Sequence, residues 1–144
     1  MQMIFAPGAL YVPEDTATRA MEDEWCLYVY GELDETSLYV MRRHYDLTDI
    51  YGEAPQAVVV ARAYLQRQFA VIDAHLAAHE TLLPSGFGLA DIMLMSCLDW
   101  AVFYGEDLPK DVGAYRKRHA ARPAYKKAMA INYANLPEVL DGTA

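Results

Sequence analysis

The 144 residues are enough for one hydrophobic core and too few for two full domains, and a 54% hydrophobic share with 22% charged residues marks a globular chain. Twenty acidic against twelve basic residues leave a net charge of -8, which argues against nucleic acid or an anionic membrane as main partner, since both need a cationic face. Cys26 and Cys97 lie far apart with no paired or metal-ligating spacing, so free buried thiols in a reducing compartment, by default the cytoplasm, are expected.

The opening MQMIFAPGAL lacks the basic start and long apolar run of a signal peptide. With Pro7, Gly8 and Pro13, residues 1–13 read as an extended lead-in. Pro13 and the Glu14-Asp15-Thr16 cluster suit a helix start. Ala17, Ala20, Met21, Glu24, Trp25 and Tyr28 recur at helical steps and carry that helix to about Tyr30. Gly31 predicts a kink or break, after which Leu33, Thr36, Ser37, Tyr39, Val40 and Met41 resume the helix to Arg43 or His44. Residues 46–55, holding Asp49, Gly52 and Pro55, read as a loop.

Pro55 fits the first position of a second long helix, and Val58, Leu65, Phe69, Ile72 and Leu76 give it an apolar stripe as far as about His79. After a turn at Pro84 comes GFGLADIMLMSCLDWAVFYG, apolar on nearly every side, which predicts a central buried helix. Gly88 is its N-cap, Asp91 reaches back to the free N–H of residue 88, and Phe87 and Ile92 close as a hydrophobic staple. On this reading Asp91→Ala costs about 1–2 kcal/mol, and Gly88→Ser adds a few tenths provided residue 88 has a non-helical φ below zero. Gly105 ends that helix, residues 111–121 form a short basic helix, and Pro123 starts a last helix to about Tyr133. Residues 135–144 read as a loosely held tail, and no internal repeat or linker divides residues 1–144, which are expected to form a single domain.

Phe87, Ala90, Asp91, Ile92, Trp100, Leu108, Pro109, Tyr115, Arg122 and Pro123, with Tyr11, Pro13, Asp15, Arg19 and Trp25 before them, form an ordered pattern. It resembles the C-terminal helical domain of the glutathione transferases over roughly residues 10–134. The resemblance implies an all-α bundle of about five to six helices around the central one. One residue departs from the pattern: Gly88 stands where the family usually has Ser or Thr. The family's N-terminal thioredoxin-like half, which carries the catalytic Tyr, Ser or Cys and a cis-Pro, is not in this sequence.

No nucleophile or general base is placed by a recognisable motif, so no catalytic residue is assigned. His75 and His79 have a spacing that can hold a metal, but at a helix C-terminus they need none, and no third ligand accompanies them. No metal is expected. Residues 14–35 hold eight acidic residues against Arg19, and residues 110–127 hold seven basic ones against Asp111. A solvated face with mutual attraction between the two segments is the plain reading. Tyr28, Tyr39, Trp100 and Tyr104 are candidate substrate-binding residues, set by neighbouring helices around a shared cleft with Tyr30 beside them. Arg42 and Arg43 either steer an anionic substrate or cap a helix end.

The resemblance implies a glutathione S-transferase-like protein whose helical half supplies the hydrophobic electrophile site and a dimer surface. Glutathione would enter as co-substrate only with the missing half, contributed by a thioredoxin-like domain partner. This chain alone would bind no cofactor and show no turnover. The alternative is a non-catalytic interaction or scaffolding module of the same fold. A homodimer on residues 14–79 is expected, through surface left open at Trp25, Tyr28, Leu38 and Tyr39. A monomer covered by Met1, Met3, Ile4, Phe5 and Leu10 is its rival.

Overall fold

The computed structural model describes residues 10–133, and every regular element among them is helical. Helix α1 (Thr16–Tyr28) runs without a break into a π-helical segment (Val29–Leu38) and then α2 (Tyr39–Tyr45). A one-turn α3 (Thr48–Tyr51) follows, in what the sequence presents as a loop. Then come α4 (Pro55–Leu76), α5 (Leu89–Phe103), α6 (Lys110–Ala120) and α7 (Pro123–Asn132). Counting α1 to α2 as one long helix, this is the expected all-α bundle of about six. The proposed lead-in residues Met1, Met3, Ile4 and Phe5 and the tail 135–144 lie outside the described residues.

Gly31 does not break the long helix; the helix changes its winding there instead. Backbone angles at Tyr28, Leu38 and Tyr39 are all right-handed helical, and Tyr39 N–H donates to Asp34 C=O, five residues back. The hydroxyls of Thr36 and Ser37 bond the carbonyls of Gly31 and Glu32 at 2.6 and 2.8 Å, also five back. A π turn takes up about one residue more than an α turn. That extra residue keeps Leu38 and Met41 in register with Val29 and Leu33, although Leu33 and Leu38 are five apart; all four are fully buried. Leu38 is therefore core and not part of an open dimer face.

The α4 stripe packs as the spacing predicts. Val58, Leu65, Phe69, Ile72 and Leu76 are buried with Ala61, in one core with Leu94, Leu98 and Ala101 of α5 and Val112 and Tyr115 of α6. Two other expectations change. On α1, Ala17, Ala20 and Met21 face solvent, and the one buried residue is Glu22, since the real inner face runs Glu22, Cys26, Val29, Leu33. The central helix α5 is not covered all round: Leu89, Ile92 and Phe103 are exposed. Ile92 thus closes no staple; Phe87 instead packs on His119, 4.7 Å between ring centres, under the Arg122 guanidinium at 3.8 Å.

Helix starts are capped both by their own residues and by carboxylates of other helices. Asp15, within the expected start cluster, caps α1, accepting from Thr18 N at 2.9 Å and from the Thr18 hydroxyl at 2.7 Å. At α5 the carboxylate of Asp91 accepts from Gly88 N at 2.9 Å as predicted. The side-chain acceptor that Gly88 lacks is supplied by Glu22 of α1, whose Oε1 accepts from Leu89 N at 3.2 Å. Residue 88 has φ -126°, open to any side chain, yet a Cβ there would stand 2.8 Å from Glu22 Oε1 and 3.4 Å from the Tyr11 carbonyl oxygen.

With Glu22 already in that place, we expect the sign of the Gly88→Ser effect to change. The new side chain displaces Glu22, and we expect a loss of about 1 kcal/mol in the native chain, the size of one cap. In a Glu22→Ala background the same change should be neutral or stabilising. Chemical denaturation of the two single mutants and the double mutant reads the coupling, and additive effects would show that Glu22 does not stand in for the missing hydroxyl.

Candidate functional site

Trp100 and Tyr104 sit one helical turn apart at the C-terminal end of α5 and share a face, with ring centres 6.1 Å apart. Side chains from the end of the long helix reach them. Tyr45 meets Tyr104 edge-on at 6.3 Å, and Phe103 lies 5.7 Å from the same ring. The Arg42 guanidinium lies over the Trp100 indole, 5.9 Å from its centre. Tyr104 donates its hydroxyl to Asp46, and burial, with that carboxylate second, pushes the phenol up to about 12. Trp100 and Tyr104 are half-buried, whereas Tyr45 and Phe103 are 69% and 52% exposed. Ring edges and faces are thus open to solvent beside a cation, an arrangement that can hold a flat apolar molecule.

The other two candidates lie apart from this pair. Tyr28 is turned to α4, its hydroxyl bonding the Gln68 side chain at 2.8 Å and its ring set edge-on to Trp25 at 5.6 Å. Tyr39 lies 4.4 Å under the Arg43 guanidinium, which Tyr51 flanks at 5.5 Å. Among the described residues no aromatic contact or hydrogen bond joins Tyr28 or Tyr39 to Trp100 and Tyr104. Tyr30 is exposed and faces Glu35. Sequence reasoning did not place Tyr45, Asp46 and Phe103 at this site. The only signal for Asp46 was its spacing of four from Arg42, and Phe103 reads as core.

His75 and His79 stack at 4.4 Å and bond backbone carbonyls, Leu82 O at 3.1 Å and His75 O at 2.9 Å. Each uses a ring nitrogen on the main chain, and the His75 bond ties the end of α4 to the turn before α5. Cys26 and Cys97 are free thiols, pushed up to about 11 and about 12 chiefly by burial, and so stay protonated and weakly nucleophilic near neutral pH. The acidic and basic segments do not pair with each other. Among the described residues the ion pairs are Arg62 with Glu106, Lys110 with Asp111 at 3.6 Å and Arg116 with Asp99 at 2.9 Å.

Residues 24–129 match the family model described as glutathione S-transferase, C-terminal domain. The chain belongs to this family. A comparison with curated protein sequences returns no significant match. Among solved structures, the chain is similar to a glutathione S-transferase domain-containing protein of Marinobacter aquaeolei (24% identity, TM-score 0.68), over 78% of this chain and 58% of that one. It is similar to Ure2p5 of Phanerochaete chrysosporium, cocrystallised with 1-(S-glutathionyl)-2,4-dinitrobenzene (16% identity, TM-score 0.77), over 94% of this chain and 67% of that one. It is also similar to the glutathione-bound theta class glutathione S-transferase of Xanthomonas axonopodis pv. citri (25% identity, TM-score 0.63), over 83% and 62%. This glutathione S-transferase C-terminal domain chain spans less than two thirds of the Marinobacter protein's length.

Proposed function

We propose that residues 1–144 form the helical half of a glutathione S-transferase-like protein, with Trp100 and Tyr104 walling the site of a hydrophobic electrophile. The observation that carries this reading is the half-open aromatic cluster Tyr45, Trp100, Phe103 and Tyr104, assembled from two helices of a family domain. Nothing in it activates a thiol, so glutathione is held and ionised by a thioredoxin-like partner. Purified chain given glutathione and a dinitrobenzene electrophile should show no turnover above the uncatalysed rate. Turnover that saturates in glutathione would overturn this division of labour. Binding of 1-(S-glutathionyl)-2,4-dinitrobenzene that weakens in Phe103→Ala tests the wall itself, and an unchanged affinity would count against it.

A homodimer on residues 14–79 is part of the proposal. With Leu38 in the core, the apolar side chains exposed there include Leu27, 70% exposed, with Tyr30, Val59, Val60 and Val71 of the long helix and α4. Exposed apolar side chains on two neighbouring helices suit a two-fold contact. Light scattering should give about twice 16.2 kDa at micromolar concentration. A mass that stays at one chain on concentrating refutes the dimer. Among the described residues no helix is long and apolar enough to cross a membrane, and a cytoplasmic location is proposed with the free thiols as support.

A further inference from the structure

Helix α7 and the first half of α1 are the two least covered stretches of helix in the bundle. No residue of α7 is buried. It packs on α6, and Tyr125 ties it to Asp99 of α5 through its hydroxyl at 2.8 Å. Ala124, Lys127 and Ile131, at steps of three and four, share its solvent side, and Ile131 is 68% exposed. A ten-residue helix is marginal in water without packing. On α1 the one buried residue is Glu22, whereas Ala17, Ala20, Met21 and Glu24 are exposed at the same three- and four-residue steps.

The exposed charges of these two surfaces have opposite sign. Glu14, Asp23 and Glu24 belong to the first, and Lys117, Lys126 and Lys127 to the second; among the described residues none of the six makes an ion pair. Within one chain the two surfaces stay apart, since α1 packs on α5 and α7 on α6. We propose that α7 of one copy packs on the first half of α1 of a second copy, lysines against carboxylates around small apolar side chains. Alanines on both sides let the two helices approach closely. The two faces differ, so the contact is head-to-tail and does not close at two chains. It leaves Leu27, Tyr30 and α4 to the two-fold dimer and depends on neither that dimer nor the ligand site. A net charge of -8 makes copies repel at a distance. At about 0.1 M salt, however, charges more than ~10 Å apart are screened, whereas pairs in contact are not.

Light scattering on the full chain tests this at about 100 µM, because exposed ion pairs are individually weak. The average mass should rise past two chains with concentration at about 0.1 M salt, and return to two or fewer at about 1 M, where the screening length is ~3 Å. Lys126→Glu with Lys127→Glu makes both surfaces acidic, and Asp23→Lys with Glu24→Lys makes both basic. Each double variant alone should stay at two chains or fewer at either salt. Mixed one to one, they should assemble again, since every acidic surface then meets a basic one. All four residues are exposed, so both variants are expected to fold, which circular dichroism checks. A native chain that never passes two chains at about 0.1 M salt overturns the proposal. Assembly that either variant keeps by itself, or a mixture of folded variants that stays apart, overturns it as well.

Discussion

Asp91→Ala should remove about 3–4 kcal/mol of stability, well above the cost of one lost helix cap. Its side chain is fully buried and its two oxygens serve three donors from three parts of the chain. Oδ2 accepts from Gly88 N at 2.9 Å at the start of α5. Oδ1 accepts from Leu82 N at 2.9 Å in the turn after α4 and from the Tyr115 hydroxyl at 2.8 Å on α6. Burial and the neighbouring carboxylate hold that phenol far above its ordinary pKa, so it stays a donor at any working pH. Alanine leaves all three donors without a partner in a dry site, and each orphaned buried donor costs about 1–3 kcal/mol. Denaturation in urea followed by helix circular dichroism gives the difference. Tyr115→Phe, which removes one donor together with its need, should cost much less. A loss under about 1 kcal/mol for Asp91→Ala would mean that the three contacts do not hold in solution.

Asp73→Ala is the second large effect, about 2 kcal/mol. Helix α6 begins after Pro109, which has no side chain to cap it. The carboxylate of Asp73, on α4, takes that place from outside, accepting from Asp111 N at 2.7 Å and Val112 N at 3.0 Å. It meets the positive end of the α6 dipole as well as two orphan N–H groups, and these add. Asp73→Asn keeps an acceptor and should recover part of the loss. Equal losses for Ala and Asn would mean that charge alone acts, and no loss in either would refute the cap. In the sequence Asp73 lies merely off the apolar stripe of its helix.

That case shows where reading the residues in order succeeds and where it stops. The α4 stripe, the Gly105 stop and the Asp91 contact with residue 88 were all legible, because each depends on residues within a few turns of one another. The pairing of Trp100 with Tyr104 was legible for the same reason, being one helical turn. The rest of the site was not. Tyr45, Asp46 and Arg42 reach it across the fold from the end of the long helix, and no local pattern encodes that meeting. Tyr28 and Tyr39 were grouped with Trp100 as aromatics of neighbouring helices around a shared cleft, but their positions along the long helix turn them to Gln68 and to Arg43.

By itself the sequence determined the helical class, the number of long helices, the α4 core stripe and the family, since these follow from period, caps and an ordered motif. Only the tertiary structure decided which polar residues are inside. Glu22 and Asp73 read as solvated charges in their own helices, yet each closes the N-terminus of another, because orphan N–H groups must be paired wherever the packing brings a carboxylate within reach. The winding of the long helix belongs to the same class. Gly31 alone suggests a break, but burying Leu33 and Leu38 on one side of a continuous helix requires the wider π turn, and the core to which they pack imposes it.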